Sequence, residues 1–142
     1  MELVQNHLDH YYKECNYNCA ETVFCAACEA WGMERTPETL RLMAGFGGGC
    51  GCGSICGAVS GAVAALSYRY VEEGGGHQSP YLMAKVRLLM RLVRQRHGDE
   101  FCKTLKPMFH TKEEHCLPTI TVIAKILDEV EQTEIVLPQK NQ

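Results

Sequence analysis

A segment of small residues, from Ala44 to Gly61, is the most restrictive feature of this chain; it reads AGFGGGCGCGSICGAVSG. Every residue between Phe46 and Ser54 is glycine or cysteine. Glycine adopts positive φ without steric cost and lets other groups approach the backbone, but ordering it costs more conformational entropy than ordering other residues. A run of glycines is therefore expected only where the backbone geometry requires it. Cysteines placed among them indicate metal or redox chemistry rather than core packing.

Nucleotide binding is the other function that glycine-rich loops commonly serve, and the details of this loop argue against it. No lysine follows the glycines, as the phosphate-binding G-x-x-x-x-G-K-[ST] loop requires. No register of the dinucleotide pattern G-x-G-x-x-G fits either. The segment before the loop has a helical pattern, whereas both motifs follow a strand.

Length and composition predict one globular domain. The chain has 142 residues, of which 46% are hydrophobic and 22% charged, enough for a real core. The net charge of −3 gives no general affinity for nucleic acid. No signal segment opens the sequence, and no apolar run approaches the roughly 20 residues of a membrane helix. We therefore expect no membrane insertion and a cytoplasmic location.

The chain has nine cysteines, many for a cytoplasmic protein of this size. In a reducing compartment, cysteines more often bind metal or carry out redox chemistry than form permanent disulfides. Some of the nine are also expected to be small buried hydrophobic residues.

Apolar residues recur at helical spacing along the chain, and no segment alternates as a strand would. The pattern predicts an all-α, compact single-domain bundle of about six or seven helices, with the Gly/Cys-rich loop preceding a buried central helix. We divide the domain into an N-terminal helix (1–16), a cysteine-bearing core (17–134) and a loose tail (135–142). The predicted helices cover 2–14, 19–31, a short stretch after Thr36, 55–71, 80–97, a short stretch after Asp99, and a last segment from Pro118.

Four cysteines lie at predicted helix N-termini. Asn18 is a predicted N-cap before Cys19, Ser54 before Cys56, and Asp99 before Cys102. Cys116 lies just before the last helix. Free amide groups and the helix dipole favour an anion there, so a thiolate should have a lowered pKa.

The motifs Asn18-Cys19-Ala20, Gly45-Phe46-Gly47-Gly48-Gly49 and Cys56-Gly57-Ala58-Val59-Ser60-Gly61, followed by Cys102 and Cys116, together resemble the C-GCAxxG-C-C family of redox-active proteins. The resemblance spans roughly Tyr17 to Val130, and the order of the motifs makes it specific. It implies a small redox protein whose functional cysteines are Cys19, Cys56, Cys102 and Cys116. It supplies a class of protein and not a reaction.

Five further cysteines depart from the family pattern: Cys15, Cys25, Cys28, Cys50 and Cys52. Cys50 and Cys52 lie in the glycine loop and are possible additional metal ligands. Cys25 and Cys28 have the spacing of a metal or redox pair, but they lie in the middle of a predicted helix, which favours packing. His110 and His115 flank Cys116 and are candidates for coordination or proton transfer.

Three functions remain open. The four cysteines could ligate an iron–sulfur cluster for electron transfer, which helix N-termini would suit. They could form a thiol–disulfide relay without a cofactor, in which Cys56 is the low-pKa attacking thiolate and Cys19 its partner. They could hold a structural zinc ion in an interaction module, although such sites usually use paired C-x₂₋₄-C motifs. We rank the cluster first and expect a redox partner protein, and leave open whether the chain is an enzyme or a carrier.

Overall fold

Helices make up nearly all the regular structure of residues 2–138, the part of the chain that the computed structural model describes. Within this range β structure is limited to two isolated antiparallel bridges, so the predicted all-α class is confirmed. The α-helices are α1 (Cys19–Trp31), α2 (Pro37–Arg41), α3 (Gly57–Tyr70), α4 (Pro80–His97), α5 (Cys102–Phe109) and α6 (Leu117–Gln132).

The predicted N-terminal helix is helical but irregular. It starts as a 3₁₀ turn, Val4–His7, and ends as a π-helical turn, His10–Glu14. The carboxylate of Asp128 on α6 accepts hydrogen bonds from the amides of Val4 (2.7 Å) and Gln5 (3.1 Å). This buried carboxylate satisfies amides that a helix start leaves unpaired and ties the N-terminal segment to α6.

The N-terminal signals of α1 act as the sequence predicts. The side chain of Asn18 accepts a hydrogen bond from the Glu21 amide, and the Glu21 side chain accepts one from the Asn18 amide. Gly32 ends the helix in the left-handed conformation, with φ of 66°. This capping box and C-terminal glycine fix both ends of α1 at the predicted residues.

The predicted start of α3 is wrong by two residues. Ser54 is not an N-cap, and Ser54–Cys56 runs extended instead, with Gly57 as the first helical residue. The reason is a tertiary contact: the Ser54 carbonyl accepts a hydrogen bond from the Cys102 amide at 2.7 Å. Pairing with a distant segment therefore withdraws these residues from the helix.

Helix α3 is the central helix, as predicted, and packs against α1, α4 and α6. Its contact with α1 is very close, because a Cβ added at Gly61 would lie 2.5 Å from the Ala20 carbonyl oxygen. Ala58, Val59, Ala62, Ala65 and Leu66 on α3 are all buried. Small residues on α3 thus bring the start of α1, with Cys19, beside the start of α3, with Cys56.

No helix in the described part of the chain is long and apolar enough to cross a membrane. After α6, residues 134–138 have no regular structure. The rest of the predicted tail lies outside the described residues.

Candidate functional site

A short antiparallel contact holds Cys56 and Cys102 beside each other. Ile55 pairs with Phe101 as an isolated bridge. The Cys56 amide donates to the Glu100 carbonyl at 2.8 Å, and the Cys102 amide donates to the Ser54 carbonyl at 2.7 Å. Two main-chain hydrogen bonds therefore fix the N-termini of α3 and α5 relative to each other.

Cys19, the first residue of α1, lies directly against the start of α3. A side chain at Gly57 would collide with the Cys19 sulfur. The backbone groups of Gly48 and Ala20 beside this sulfur lower the pKa of the thiol, although burial, the larger effect, raises it. The glycine at position 57 is therefore required so that the Cys19 thiol can occupy the space next to Cys56.

The glycine loop adopts a backbone that other residues would strain. Gly48 and Gly49 both have φ of 64°, in the left-handed region. A Cβ at Gly49 would lie 2.5 Å from the Ser54 backbone and 2.8 Å from the Cys102 Cβ. The loop thus brings its backbone close to both Cys19 and Cys102, a geometry that only glycine permits.

Cys116 is the N-cap residue of α6 and is half-buried. Its amide donates a hydrogen bond to the Tyr12 hydroxyl oxygen at 3.0 Å. The Tyr12 hydroxyl is also within hydrogen-bonding reach of the Cys116 sulfur. The N-terminal segment therefore positions this cysteine from outside the helical core.

The four family cysteines influence one another electrostatically. Burial raises the pKa of Cys19 and of Cys116, and a charge on Cys102 raises both further. Burial, and then the charge on Cys19, raise the pKa of Cys56 to about 12, although the Ala58 and Val59 amides lower it. Cys56 is only 4% exposed. The prediction that Cys56 is a low-pKa thiolate is therefore wrong for the free thiol, because burial outweighs the helix N-terminus.

Two cavities open beside these cysteines and share Gly48 and Lys106 in their walls. The first, about 630 Å³, is lined by Cys19, Cys116 and Tyr12 together with charged residues. The second, about 490 Å³, is lined by Cys102. Cys56 lines neither cavity and is buried. The group thus has a buried side at Cys56 and an accessible side at the other three cysteines.

The remaining five cysteines differ in their surroundings. Cys25 and Cys28 are 1% and 2% exposed in the middle of α1, which confirms the packing interpretation. Cys50 and Cys52 are exposed and line neither cavity. The sulfur of Cys15 lies 3.7 Å from the Nε2 atom of His10.

The two candidate histidines lie at the cavity walls. Their rings are 5.9 Å apart between centroids. His115 lines the first cavity and His110 the second. Both are exposed, and each shares a cavity wall with at least one of the four family cysteines.

Sequence reasoning missed Tyr12 and Lys106. Tyr12 belongs to the apolar pattern of the N-terminal helix, and this pattern predicts a core residue. Lys106 lies on α5, at a position that no motif of the sequence marks. Neither position carries a local signal, because both reach the cysteines only through the packing of distant helices.

Within residues 2–138, no three or more His, Cys, Asp or Glu side chains are arranged around a single metal-ion position. The four-thiol donor set itself has the chemistry of a metal or iron–sulfur site, and backbone groups beside Cys19 and Cys56 lower the pKa of both thiols, against the larger effect of burial. Amide hydrogen bonds to sulfur are among the groups that tune such clusters. The residues present therefore suit a cluster in composition and in surroundings.

A family model described as "Putative redox-active protein (C_GCAxxG_C_C)" matches residues 17–130. The chain belongs to this family, and the resemblance in the sequence is confirmed. The family defines a small redox-active, cysteine-rich protein. Searches of curated proteins and of solved structures find no match.

Proposed function

We propose that this protein is a small electron carrier that holds an iron–sulfur cluster on Cys19, Cys56, Cys102 and Cys116. The observation that carries the proposal is the placement of these cysteines at the starts of four different helices, α1, α3, α5 and α6. Four thiolates are the usual ligand set of such clusters, and helix N-termini stabilise negative charge.

The chain would contribute ligands and their electrostatic environment. The backbone groups of Gly48 and Ala20 would hydrogen-bond to the Cys19 thiolate, and those of Ala58 and Val59 to the Cys56 thiolate. The cluster, when bound, supplies the one-electron chemistry. Its cationic iron would offset the burial, and then the mutual repulsion of the thiolates, that raise the pKa of the free thiols, because a coordinated thiol is deprotonated.

A cluster and a single metal ion require different arrangements of their ligand atoms. Each cysteine binds a different iron atom in a four-iron cluster, so the sulfurs surround a volume and do not meet at one point. The proposal is therefore compatible with a structure in which residues 2–138 hold no ready single-ion site. A structural zinc ion would need four donors around one point.

The thiol–disulfide relay is less well supported than the cluster. An attacking thiol reacts as its thiolate and needs access to the incoming disulfide. Cys56 is 4% exposed, and its pKa is raised to about 12. The proposed relay nucleophile therefore lacks both properties.

We place the carrier in the cytoplasm, because nine free thiols are compatible with a reducing compartment. Its partner would be another redox protein. The accessible side of the site, at Cys19, Cys102 and Cys116, is where we expect electrons to enter and leave.

The test is anaerobic purification followed by iron and acid-labile sulfide analysis and visible spectroscopy. We expect iron, sulfide and a visible chromophore in the wild-type protein. Cys56→Ala should lose them, whereas Cys25→Ala, a variant at an equally buried cysteine on α1, should keep them. Stoichiometric zinc without sulfide would replace the proposal with the zinc site, and a metal-free protein with a reversible disulfide would replace it with the relay.

A further inference from the structure

The second cavity beside the cysteines has walls of one charge sign. It is lined by Gly48, Gly53, Cys102, Lys103, Lys106, Pro107 and His110. No acidic residue of the described chain is among them. Its volume of about 490 Å³ lies in the range of small-molecule sites.

Lys106 stands where the two cavities meet. Among residues 2–138 no carboxylate forms an ion pair with it, whereas Lys13, on the wall of the first cavity, pairs with Glu114 at 3.1 Å. Glu113 also lines the first cavity. Of the three lysines that line the cavities, Lys13 is therefore paired, whereas Lys103 and Lys106 form no ion pair with another residue of the described chain.

The wall of the cavity at Gly48 leaves room for a ligand close to the backbone. Gly48 has positive φ, and a Cβ there would meet no atom within 4 Å. Cys102 lines the same cavity and belongs, with Lys103 and Lys106, to α5, so a ligand held by the lysines would lie against one of the four family cysteines.

From this charge and placement we infer that the second cavity binds a small oxyanion, a carboxylate or phosphate group, between Lys106, Lys103 and His110 and against Cys102. The inference rests on the proposed function for the redox role of Cys102. It adds that the accessible side of the site receives an anionic small molecule, in addition to any protein partner.

The experiment uses two lysine reagents of nearly the same shape, pyridoxal 5′-phosphate and uncharged pyridoxal, on the full-length protein as purified. Each aldehyde condenses with a lysine amine, and cyanoborohydride traps the product for peptide mass spectrometry. We expect the phosphorylated reagent to label Lys106 about two- to fivefold more, relative to pyridoxal, than it labels Lys125, an exposed lysine on α6.

Competition separates a site from diffuse surface charge. Inorganic phosphate or malonate should remove the preference at Lys106, while sodium chloride of equal ionic strength should leave most of it. Lys103→Gln should reduce the preference, and Lys125→Gln should not change it. Equal preferences at Lys106 and Lys125, or equal protection by sodium chloride, would overturn the inference.

Iron and sulfide are measured on the same sample, so that the two proposals fail separately. A cluster-loaded protein without preference at Lys106 overturns the oxyanion site alone. A protein that keeps the preference but contains neither iron nor sulfide overturns the cluster alone.

Discussion

Ile55 and Phe101 pair across a single antiparallel bridge, and each is followed directly by a family cysteine, Cys56 and Cys102. The bridge is supported by an ion pair just outside it. Arg94 on α4 donates two hydrogen bonds to the Glu100 carboxylate, at 2.9 and 2.7 Å. The ion pair therefore fixes the residue whose carbonyl accepts the Cys56 amide.

We predict that Glu100→Gln lowers the free energy of unfolding by about 1–3 kcal/mol, because it weakens two charge-assisted hydrogen bonds to a largely buried carboxylate. The matched control is Glu129→Gln, which removes the exposed pair with Arg96 and should cost less than about 1 kcal/mol. Urea denaturation measures both. Equal effects would contradict a special role for the pair with the largely buried Glu100 carboxylate.

The same ion pair predicts a pH dependence. The hydrogen bonds from Arg94 lower the pKa of Glu100 below its ordinary value of 4.5. Stability from this lowered pKa is therefore fully present above pH 4.5 and is lost as the pH falls through the folded-state pKa. Glu100→Gln should flatten the decline of stability below pH 4.5. If the difference in the free energy of unfolding between the wild type and the variant stayed constant down to pH 2, this prediction would be contradicted.

Gly61→Ala should destabilise the protein by about 1–3 kcal/mol, or more if α1 cannot move, because the new methyl group would meet the Ala20 backbone. Without that contact, alanine would stabilise the middle of a helix by about 1 kcal/mol relative to glycine. The sign of the change in the free energy of unfolding therefore shows whether the contact is present. Gly45→Ala, where no atom lies within 4 Å, is the control. A Gly61→Ala melting temperature at or above the wild-type value would refute the close packing.

Lys85 is 1% exposed, and its ammonium group donates to the carbonyls of Val130 (2.6 Å), Glu131 (3.1 Å) and Thr133 (2.7 Å) at the end of α6. Lys85→Met keeps the apolar stem but leaves these carbonyls without their donor, so we expect a loss of about 2–4 kcal/mol. Lys125→Met, at an exposed position of α6, should change stability by less than about 0.5 kcal/mol. Thermal or urea unfolding of the two variants distinguishes them.

In metal-free, reduced protein, Cys56 should be alkylated later than Cys50 and Cys52. Burial raises its pKa to about 12, so on the order of one thiol in 10⁵ is ionised at pH 7, whereas the two loop cysteines are exposed. Mass spectrometry after timed exposure to iodoacetamide gives the order of labelling. Alkylation in urea, where all nine thiols become accessible, serves as the control. Early labelling of Cys56 in the native protein would revive the relay.

The local sequence already determined the helical class and most helix ends. The Asn18–Glu21 capping box, Thr36-Pro37, Ser79-Pro80 and Gly32 act over one helical turn, so their effect does not depend on the rest of the fold. The position of Cys19 at a helix start could be predicted for the same reason, whereas Cys56 and Cys102 lie at helix starts although their predicted caps, Ser54 and Asp99, are not the N-cap residues of α3 and α5.

Only the tertiary structure decided how the cysteines behave and what surrounds them. Pairing with residues 100–102 removed Ser54 from its predicted capping role. Burial beneath the loop raised the Cys56 pKa that a helix N-terminus alone would lower. Tyr12 and Lys106 reach the cysteines across the packed helices. Desolvation and long-range contacts depend on which segments pack together, and no short stretch of sequence encodes that.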